Sequence, residues 1–422
     1  MNAKTTQKAQ ELTSSLSIVQ PTRIKSEPNF DELGADRLPS KRFLPIIESI
    51  ATGTPHHIIR QSDAAKFVAN LPDLEQNQSR IEKLYSNTRI ETRHLAVNLL
   101  SHETIAFSRQ QGTLQTRMEL YKQYAVPLAE QVVSQAVASA RAASEVANLK
   151  DAIGLIVFVS STGFVAPGVD AELIKRLGLR RDIARVTVNF MGCAAAMNGL
   201  RVACDHVRAN PTHKALVVCL ELSSVNAVFE DEINDVIIHS IFGDGCAAVV
   251  VGACAEEQTI GQGKVVIRDH LSYLIEDTED GITLGIRDNG ITCQLSRQLP
   301  NYIEAGVNSV IERFLASHHL TKADIDLWAV HPGGTRIIEK AQHSLGLNDS
   351  QVADSWEVLR QYGNMLSSSV LFVMERMLLK QESLPAKPES SESGNLTAKA
   401  VTGLAFSFSP GVGIEGLLFQ KV

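Results

Sequence analysis

Val188-Asn189-Phe190-Met191-Gly192-Cys193-Ala194-Ala195-Ala196-Met197-Asn198-Gly199 joins two kinds of periodicity. Before it, Ile183 to Phe190 is an apolar, strand-like run. After it, small residues pass into apolar positions at helical spacing, Leu200, Val202, Ala203 and Val207. A cysteine therefore stands at or next to a helix N-terminus. Unpaired N–H groups and the macrodipole favour an anion there, so the pattern predicts a stabilised thiolate. The small neighbours leave room for a substrate carbonyl. The same cysteine could equally fill the core as a small hydrophobe, and the rest of the chain has to decide.

At 422 residues the chain is long enough for two or three domains. Its 40 Lys and Arg against 47 Asp and Glu give a net charge of −7, so there is no basic field and nucleic acid is a poor partner. Cys193, Cys204, Cys219, Cys246, Cys254 and Cys293 sit in apolar contexts without a C-x-x-C pair. That pattern fits free thiols in a reducing, cytoplasmic compartment better than disulfides or zinc, and no metal is expected. The N-terminus lacks a continuous apolar core and no window approaches a membrane span, so neither a secretory signal nor an integral membrane segment is expected.

Residues 1–40 are rich in Ser, Thr, Gln, Lys and Pro and read as a mobile tail. Order begins at a strand near Phe43-Leu44-Pro45-Ile46-Ile47. Helices are expected at Ser62–Asn70, Gln76–Asn87 and Leu114–Ala147, and a surface loop between Gln381 and Ala400. Beyond the tail the chain divides into two halves, 41–258 and 259–422, that echo one another. The first carries the strand Ile153 to Ser161, a helix ending in Leu177-Gly178-Leu179, a second strand, Cys193 and its helix, then the strand Ala215–Leu220. The second carries Ile325 to Gly334, a helix ending in Leu345-Gly346-Leu347, a second strand, Tyr362-Gly363-Asn364 opening a helix over Met365–Leu379, and strands at Leu404–Ser409 and Gly416–Phe419. Each half reads βαβαβ, an α/β pattern that predicts parallel sheets with helices on both faces.

A pseudo-twofold axis between the halves would place Cys193 and Asn364 at equivalent helix starts, with His331 at a strand end between them. Open α/β sheets bind ligands at such strand ends. Three chemically competent residues at the ends of duplicated elements make Cys193 a nucleophile rather than core filler. A thiolate beside an imidazole suits acyl transfer. Asn364 takes no proton at neutral pH, but its amide and His331 Nε2–H together form a two-donor hole for a thioester carbonyl or an enolate. That suits carbon–carbon bond formation after decarboxylation of a malonyl thioester. Papain-like hydrolases also use Cys, His and Asn, but without a duplicated βαβαβ pattern.

Met191-Gly192-Cys193, Phe242-Gly243-Asp244-Gly245, His331-Pro332-Gly333-Gly334, Tyr362-Gly363-Asn364-Met365 and Ser409-Pro410-Gly411 stand in the order found in type III polyketide synthases. Over residues 40–422 the chain resembles this chalcone-synthase-like branch of the thiolase fold. The resemblance implies duplicated halves in a layered α-β-α-β-α core and catalysis by Cys193, His331 and Asn364. Cys193 would be the acyl-loading nucleophile, and His331 with Asn364 would bind the malonyl thioester carbonyl. Phe242 matches the gatekeeper between a coenzyme A tunnel and the cavity. Without the family it reads equally well as an aromatic beside a Gly-Asp-Gly turn. Acyl-CoA and malonyl-CoA are the implied substrates, with no further cofactor. A homodimer is implied, and an acyl carrier protein is an alternative starter donor.

The departures from the plant pattern bear on specificity. Cys293 occupies the second aromatic gatekeeper position. Asn226, Leu284 and Leu366 are bulkier than the residues that usually shape the elongation cavity. Ala166 stands where plant enzymes push a Met across the dimer interface, and Ser409 replaces the first Gly of a Gly-Pro-Gly loop at Pro410. The altered cavity resembles bacterial members that make alkylpyrones or alkylresorcinols from medium- or long-chain acyl starters. A single-round condensing enzyme and a chalcone-type synthase using an aromatic starter are the alternatives. The tunnel-mouth cations map to Arg80 and Lys83, the third falls on Asn87, and Arg336 supplies a further positive charge; each also reads as an ordinary solvated helix-face charge.

Overall fold

The computed structural model describes residues 42–71, 74–101, 104, 107, 112–142, 148–227, 233–259, 263–383 and 400–422. The expected tail, the expected helix end at Ala147 and most of the expected loop from Gln381 lie outside these residues. Arg42–Val422 forms one compact unit.

The chain opens with strands β1 (Phe43–Gly53) and β2 (His57–Arg60), helices α1 (Gln61–Ala69) and α2 (Gln78–Ser86), strand β3 (Thr92–Leu95) and the long helix α3 (Leu114–Ala142). Next come α4 (Leu149–Ala152), β4 (Ile153–Val159), α5 (Val169–Leu177), β5 (Ala184–Val188), α6 (Ala195–Ala209), β6 (Lys214–Leu222), α7 (Ile233–Ile241) and β7 (Asp244–Ala255). Strands β8 (Val265–Leu274), β9 (Ile282–Arg287) and β10 (Gly290–Leu295) lead to α8 (Leu299–Ser317). The remainder is β11 (Leu327–Val330), α9 (Thr335–Leu345), α10 (Ala353–Tyr362), α11 (Ser369–Ser383), β12 (Val401–Ser409) and β13 (Gly413–Lys421).

Nine strands form one sheet in the order β11-β12-β13-β8-β1-β7-β6-β4-β5. It is mixed, not parallel as the sequence suggests. β4 runs parallel to β5 and β6, and β11 to β12, while β6–β7, β7–β1, β12–β13 and β13–β8 are antiparallel. The β12–β13 connection shows why: Ser409 pairs directly with Gly413, a turn far too short for a parallel crossover.

Strand residues alternate between packed cores. On β4, Ile156 and Phe158 face a core shared with α3, while Leu155, Val157 and Val159 face a second core shared with α6. On β11 and β12, Ala329 and Ala405 face that second core; Trp328, Val330, Leu404 and Phe406 face a third, with α8 and α9. Helices α6 and α11 fill the middle layer together through Leu200, Ala203, Val370 and Met374. Both faces of each half-sheet are therefore covered, so the strands read as continuous apolar runs. The layers follow the α-β-α-β-α order of a thiolase-like fold.

The second half departs from its expected echo. Where the first half has β5, the second has helix α10. Val352, Trp356 and Leu359 recur at i, i+4 and i+7, a helical spacing. The helix expected from Met365 opens instead as a 3-10 turn, Leu366–Ser368, before α11 begins.

Candidate active site

Cys193 is set by a tight backbone turn between β5 and α6. The Gly192 N–H donates to Ser161 Oγ at 3.1 Å, and a single 3-10 turn, Gly192–Ala194, runs into α6. The sulfur thus stands at a helix entrance, as the sequence predicts.

Asn364 comes from the other half. Its N–H donates to Ile241 O at 2.9 Å, and Gly243 N–H donates to Asn364 O at 3.0 Å, so Phe242 and Asn364 form an isolated parallel bridge. Two glycines permit this approach. A Cβ on Gly243 would lie 2.2 Å from Tyr362 O, and one on Gly363 would lie 2.6 Å from Ile241 O, at a φ of +70°. Asn364 Oδ1 accepts from Leu366 N–H at 2.8 Å. That bond turns Nδ2 toward Gly333 O at 3.3 Å and Cys193 Sγ at 3.7 Å.

His331 follows β11, where its N–H donates to Phe406 O at 3.0 Å. The side chain is buried, and neither ring nitrogen makes a hydrogen bond. Burial pulls its pKa down to about 3; Asn364 lies close enough to oppose that shift without reaching hydrogen-bonding geometry. The imidazole is therefore neutral at physiological pH.

The thiolate expected at Cys193 is not what this environment favours. Burial pushes the thiol well above its ordinary value; the Asn364 amide pulls it down by less, and Cys293 and Glu221 push it up further. A helix terminus contributes roughly 0.3–1 kcal/mol, less than one pKa unit. Cys193 is half-buried, so desolvation and the helix start act on the sulfur in opposite directions.

Cys193, His331 and Asn364 line one cavity of about 40 Å³ whose other walls are mostly apolar, among them Ile282, Leu295 and Phe408. Phe242, Leu284, Cys293 and Leu366 line it too, and the same four line a second cavity of about 40 Å³. The second is polar on its far side, with Ser161, Thr162, Ser223, Asn226 and His239. Four residues singled out from the sequence thus form the wall between two chambers, and Asn226 lies in the second. The Asn226 amide is committed, donating to Thr162 O at 2.7 Å and accepting from Ile291 N–H at 3.3 Å.

The other expected positions lie outside both cavities. Pro410 packs over the turn, its Cδ 3.3 Å from where a Gly192 Cβ would be. Ala166 is exposed, as are Arg80, Lys83 and Arg336. Thr335 Oγ1 donates to the carbonyls of Asn87 and Thr88, which brings Arg336 beside the end of α2.

The chalcone and stilbene synthase N-terminal domain model matches residues 40–255, and the C-terminal domain model matches residues 267–422. The chain belongs to this family. It is a type III polyketide synthase, an acyltransferase that works on coenzyme A thioesters and needs no cofactor beyond them. The chain is 49% identical over 396 residues to the "Alpha-pyrone synthesis polyketide synthase-like Pks18" of Mycobacterium tuberculosis, covering 93% of this chain and 95% of that one. It is 42% identical to a solved structure of PKS-I from the brown alga Ectocarpus siliculosus, with a TM-score of 0.82, covering 91% of this chain and all of that one. The type III domain of Steely1 from Dictyostelium superposes with a TM-score of 0.77 at 26% identity, covering 90% and 99%.

Several residues of the synthase site escaped the sequence reading. Glu221 is fully buried next to the nucleophile turn. It accepts from Ser161 N–H at 3.0 Å, Thr162 Oγ1 at 2.8 Å and Ser367 Oγ at 2.6 Å. Burial raises its pKa to about 7 against those bonds. A lone charge at the end of the apolar run Ala215–Leu220 was the available signal. Ser223 and His239 carried none. Among the described residues no group of three or more His, Cys, Asp or Glu could hold a metal ion, and no helix is long and apolar enough to cross a membrane.

Proposed function

We propose that this synthase loads an acyl starter on Cys193, extends it with malonyl-CoA and releases an α-pyrone or alkylresorcinol. One observation carries the reading: the Cys193 thiol, the His331 imidazole and the Asn364 amide share one cavity, separated by a single layer of side chains from a second, polar one. A neutral His331 suits a hydrogen-bond donor to the malonyl thioester carbonyl better than a general base. Asn364 Nδ2, held by Leu366 and Gly333, is the second donor. Decarboxylation then leaves an enolate that both donors stabilise. It attacks the acyl group on Cys193, forming the carbon–carbon bond and releasing the sulfur. Phe242 and Cys293 gate the passage. Leu284 and Leu366 restrict the elongation side, which favours two or three extensions. The alkyl tail leaves by a separate apolar path. Likeness to an α-pyrone synthase supports the product class.

Arg80, Lys83 and Arg336 serve the coenzyme A phosphates in this reading, and Ala166 faces a neighbouring subunit. The division at 258/259 separates a half that supplies the nucleophile from one that supplies the donors. A homodimer is supported by edge strand β5, which is largely exposed in the single chain despite the composition Ala-Arg-Val-Thr-Val. Six free cysteines support a reducing, cytoplasmic setting.

The test is a starter screen with malonyl-CoA: acetyl-, hexanoyl-, lauroyl- and p-coumaroyl-CoA, and lauroyl on an acyl carrier protein, with products read by mass spectrometry. Triketide and tetraketide pyrones or resorcinols, with specificity rising with alkyl length, are expected. Single extensions without cyclised product would instead mark a single-round ketoacyl synthase, and a preference for p-coumaroyl-CoA a chalcone-type enzyme. Sedimentation as a monomer at micromolar concentration would exclude the dimer.

A further inference from the structure

At about 40 Å³ the second cavity has room for only a few water molecules. A ketide chain that lengthens past the leucines enters it only by pushing a wall aside, so whatever holds the walls decides how far they yield. The wall most in need of an anchor is the hairpin of β9 and β10, which supplies Leu284, Ile291, Thr292 and Cys293. The hairpin lies outside the nine-stranded sheet, as a sheet of two strands. A lone hairpin is marginally stable at best in water, so its position has to come from elsewhere in the chain.

The anchor is Arg117, in the first turn of α3. Its side chain is buried, 1% exposed, and burial lowers its pKa only to about 10, so it is charged at neutral pH. The guanidinium donates to four backbone carbonyls. Nε reaches Asn289 O at 2.5 Å, at the tip of the hairpin and two residues before Ile291. Nη1 reaches Val225 O at 2.7 Å and Ala227 O at 3.0 Å, the carbonyls on either side of Asn226. Nη2 reaches Phe107 O at 3.2 Å, and the cation stands 4.5 Å from the centre of the Phe107 ring. Three residues earlier, Leu114 N–H donates to Asp288 O at 2.9 Å. Inside the cavity, Asn226 Oδ1 accepts from Ile291 N–H at 3.3 Å. Two wall segments, 225–227 and 289–291, are thus tied from behind by one cation and from within by one amide. A planar fork of N–H donors suits several carbonyls at once; an ammonium does not reproduce that geometry.

We propose that Arg117 is a positioning residue that limits the number of extensions, by holding the hairpin wall of the second cavity against the growing chain. This rests on the reading above in which the chain grows into that cavity. Arg117 does not line the cavity. It acts through the carbonyls of residues 225, 227 and 289, which fix Asn226 and Ile291. Loosening these ties lets the hairpin retreat, so a further malonyl unit fits before release. Loading of the starter takes place at Cys193, in the first cavity, and does not depend on them.

The experiment compares Arg117→Lys and Arg117→Met with the parent, using lauroyl-CoA and malonyl-CoA. Intact-protein mass spectrometry reads loading on Cys193, and product analysis reads the ratio of tetraketides and longer chains to triketides. The expected result is loading at the parent's rate, with that ratio raised about fivefold or more in Arg117→Met and by less in Arg117→Lys. Fivefold is what one lost hydrogen bond of ordinary net strength corresponds to. A loss of stability alone would lower all products together and leave the ratio where it was. An unchanged ratio or a shift toward shorter chains in Arg117→Met overturns the proposal; where only Arg117→Lys loads, the same result in that variant does so. Failure of both to load also overturns it, because the guanidinium would then serve folding alone. Leu366→Gly separates the two readings. If it leaves product length unchanged, growth into this cavity is wrong and the proposal falls with it. If it lengthens products while the Arg117 variants do not, only the role of Arg117 is lost.

Discussion

At the scale of single residues, the site pairs a thiol held above its ordinary range with an imidazole held far below its own. Both shifts oppose a thiolate–imidazolium pair at rest. Alkylation of Cys193 by iodoacetamide should therefore accelerate about tenfold per pH unit from pH 7 to 9 without levelling. A plateau beginning near pH 6 to 7 would reveal a preformed thiolate–imidazolium pair. Cys254 is the competitor to watch in the labelling pattern, because Lys264 Nζ stands 3.2 Å from its sulfur. Asn364→Ala removes the donor that Leu366 N–H orients. It should lower kcat by about 100- to 1000-fold while leaving acyl loading detectable by mass spectrometry; loss of loading with intact decarboxylation would reverse the assigned roles.

At the scale of elements, the crossing of 241–243 with 363–364 fixes the donor side of the site. Gly363→Ala places a Cβ against Ile241 O at a left-handed φ, so it should cost about 1–3 kcal/mol of stability. Calorimetry checks this, and an unchanged melting temperature would show that the crossing can yield. The neighbouring Ser161–Thr162–Glu221–Ser367 cluster carries a pH signature. The carboxyl's folded pKa is raised from 4.5 to about 7, so the stability it contributes is present below 4.5 and lost as pH rises through 7. The difference in stability between Glu221→Gln and the parent should accordingly move in the variant's favour from pH 5 to pH 8. A constant difference would mean that the carboxyl titrates as it does in water.

Much of this was legible in the chain because local chemistry and tertiary role coincide. Met-Gly-Cys between a strand and a helix, and His-Pro-Gly-Gly at a strand end, needed only periodicity to be placed. Helix α10 was read as a strand because the echo of the first half outweighed the spacing of Val352, Trp356 and Leu359. The antiparallel strands hid for another reason: direction is set by pairing across the sheet, which no local pattern records. Glu221 owes its place in the site to burial, which cannot be read from neighbours in sequence.

At the scale of the whole molecule, Arg42–Val422 is one compact unit. A chain beginning at Arg42 should keep the parent's melting temperature and turnover; loss of either would assign residues 1–41 a part in the body's stability or chemistry. Leu284 and Leu366 stand in the wall that the two chambers share. Leu366→Gly should move products toward longer ketides by opening one chamber to the other, and an unchanged product length would place the limit elsewhere.

The two half-sheets meet where β1 pairs with β8 through only Ile46–Val266 and Ile47–Val265. Cys193 belongs to the first half and His331 and Asn364 to the second, and the crossing of 241–243 with 363–364 ties the halves together beside the sulfur. The reactive geometry is therefore owned by neither half, and turnover doubles as a gauge of their docking. In a urea titration, catalysis should fade before circular dichroism does, as partial opening at the seam parts sulfur from donors while each layer still holds its helices and strands.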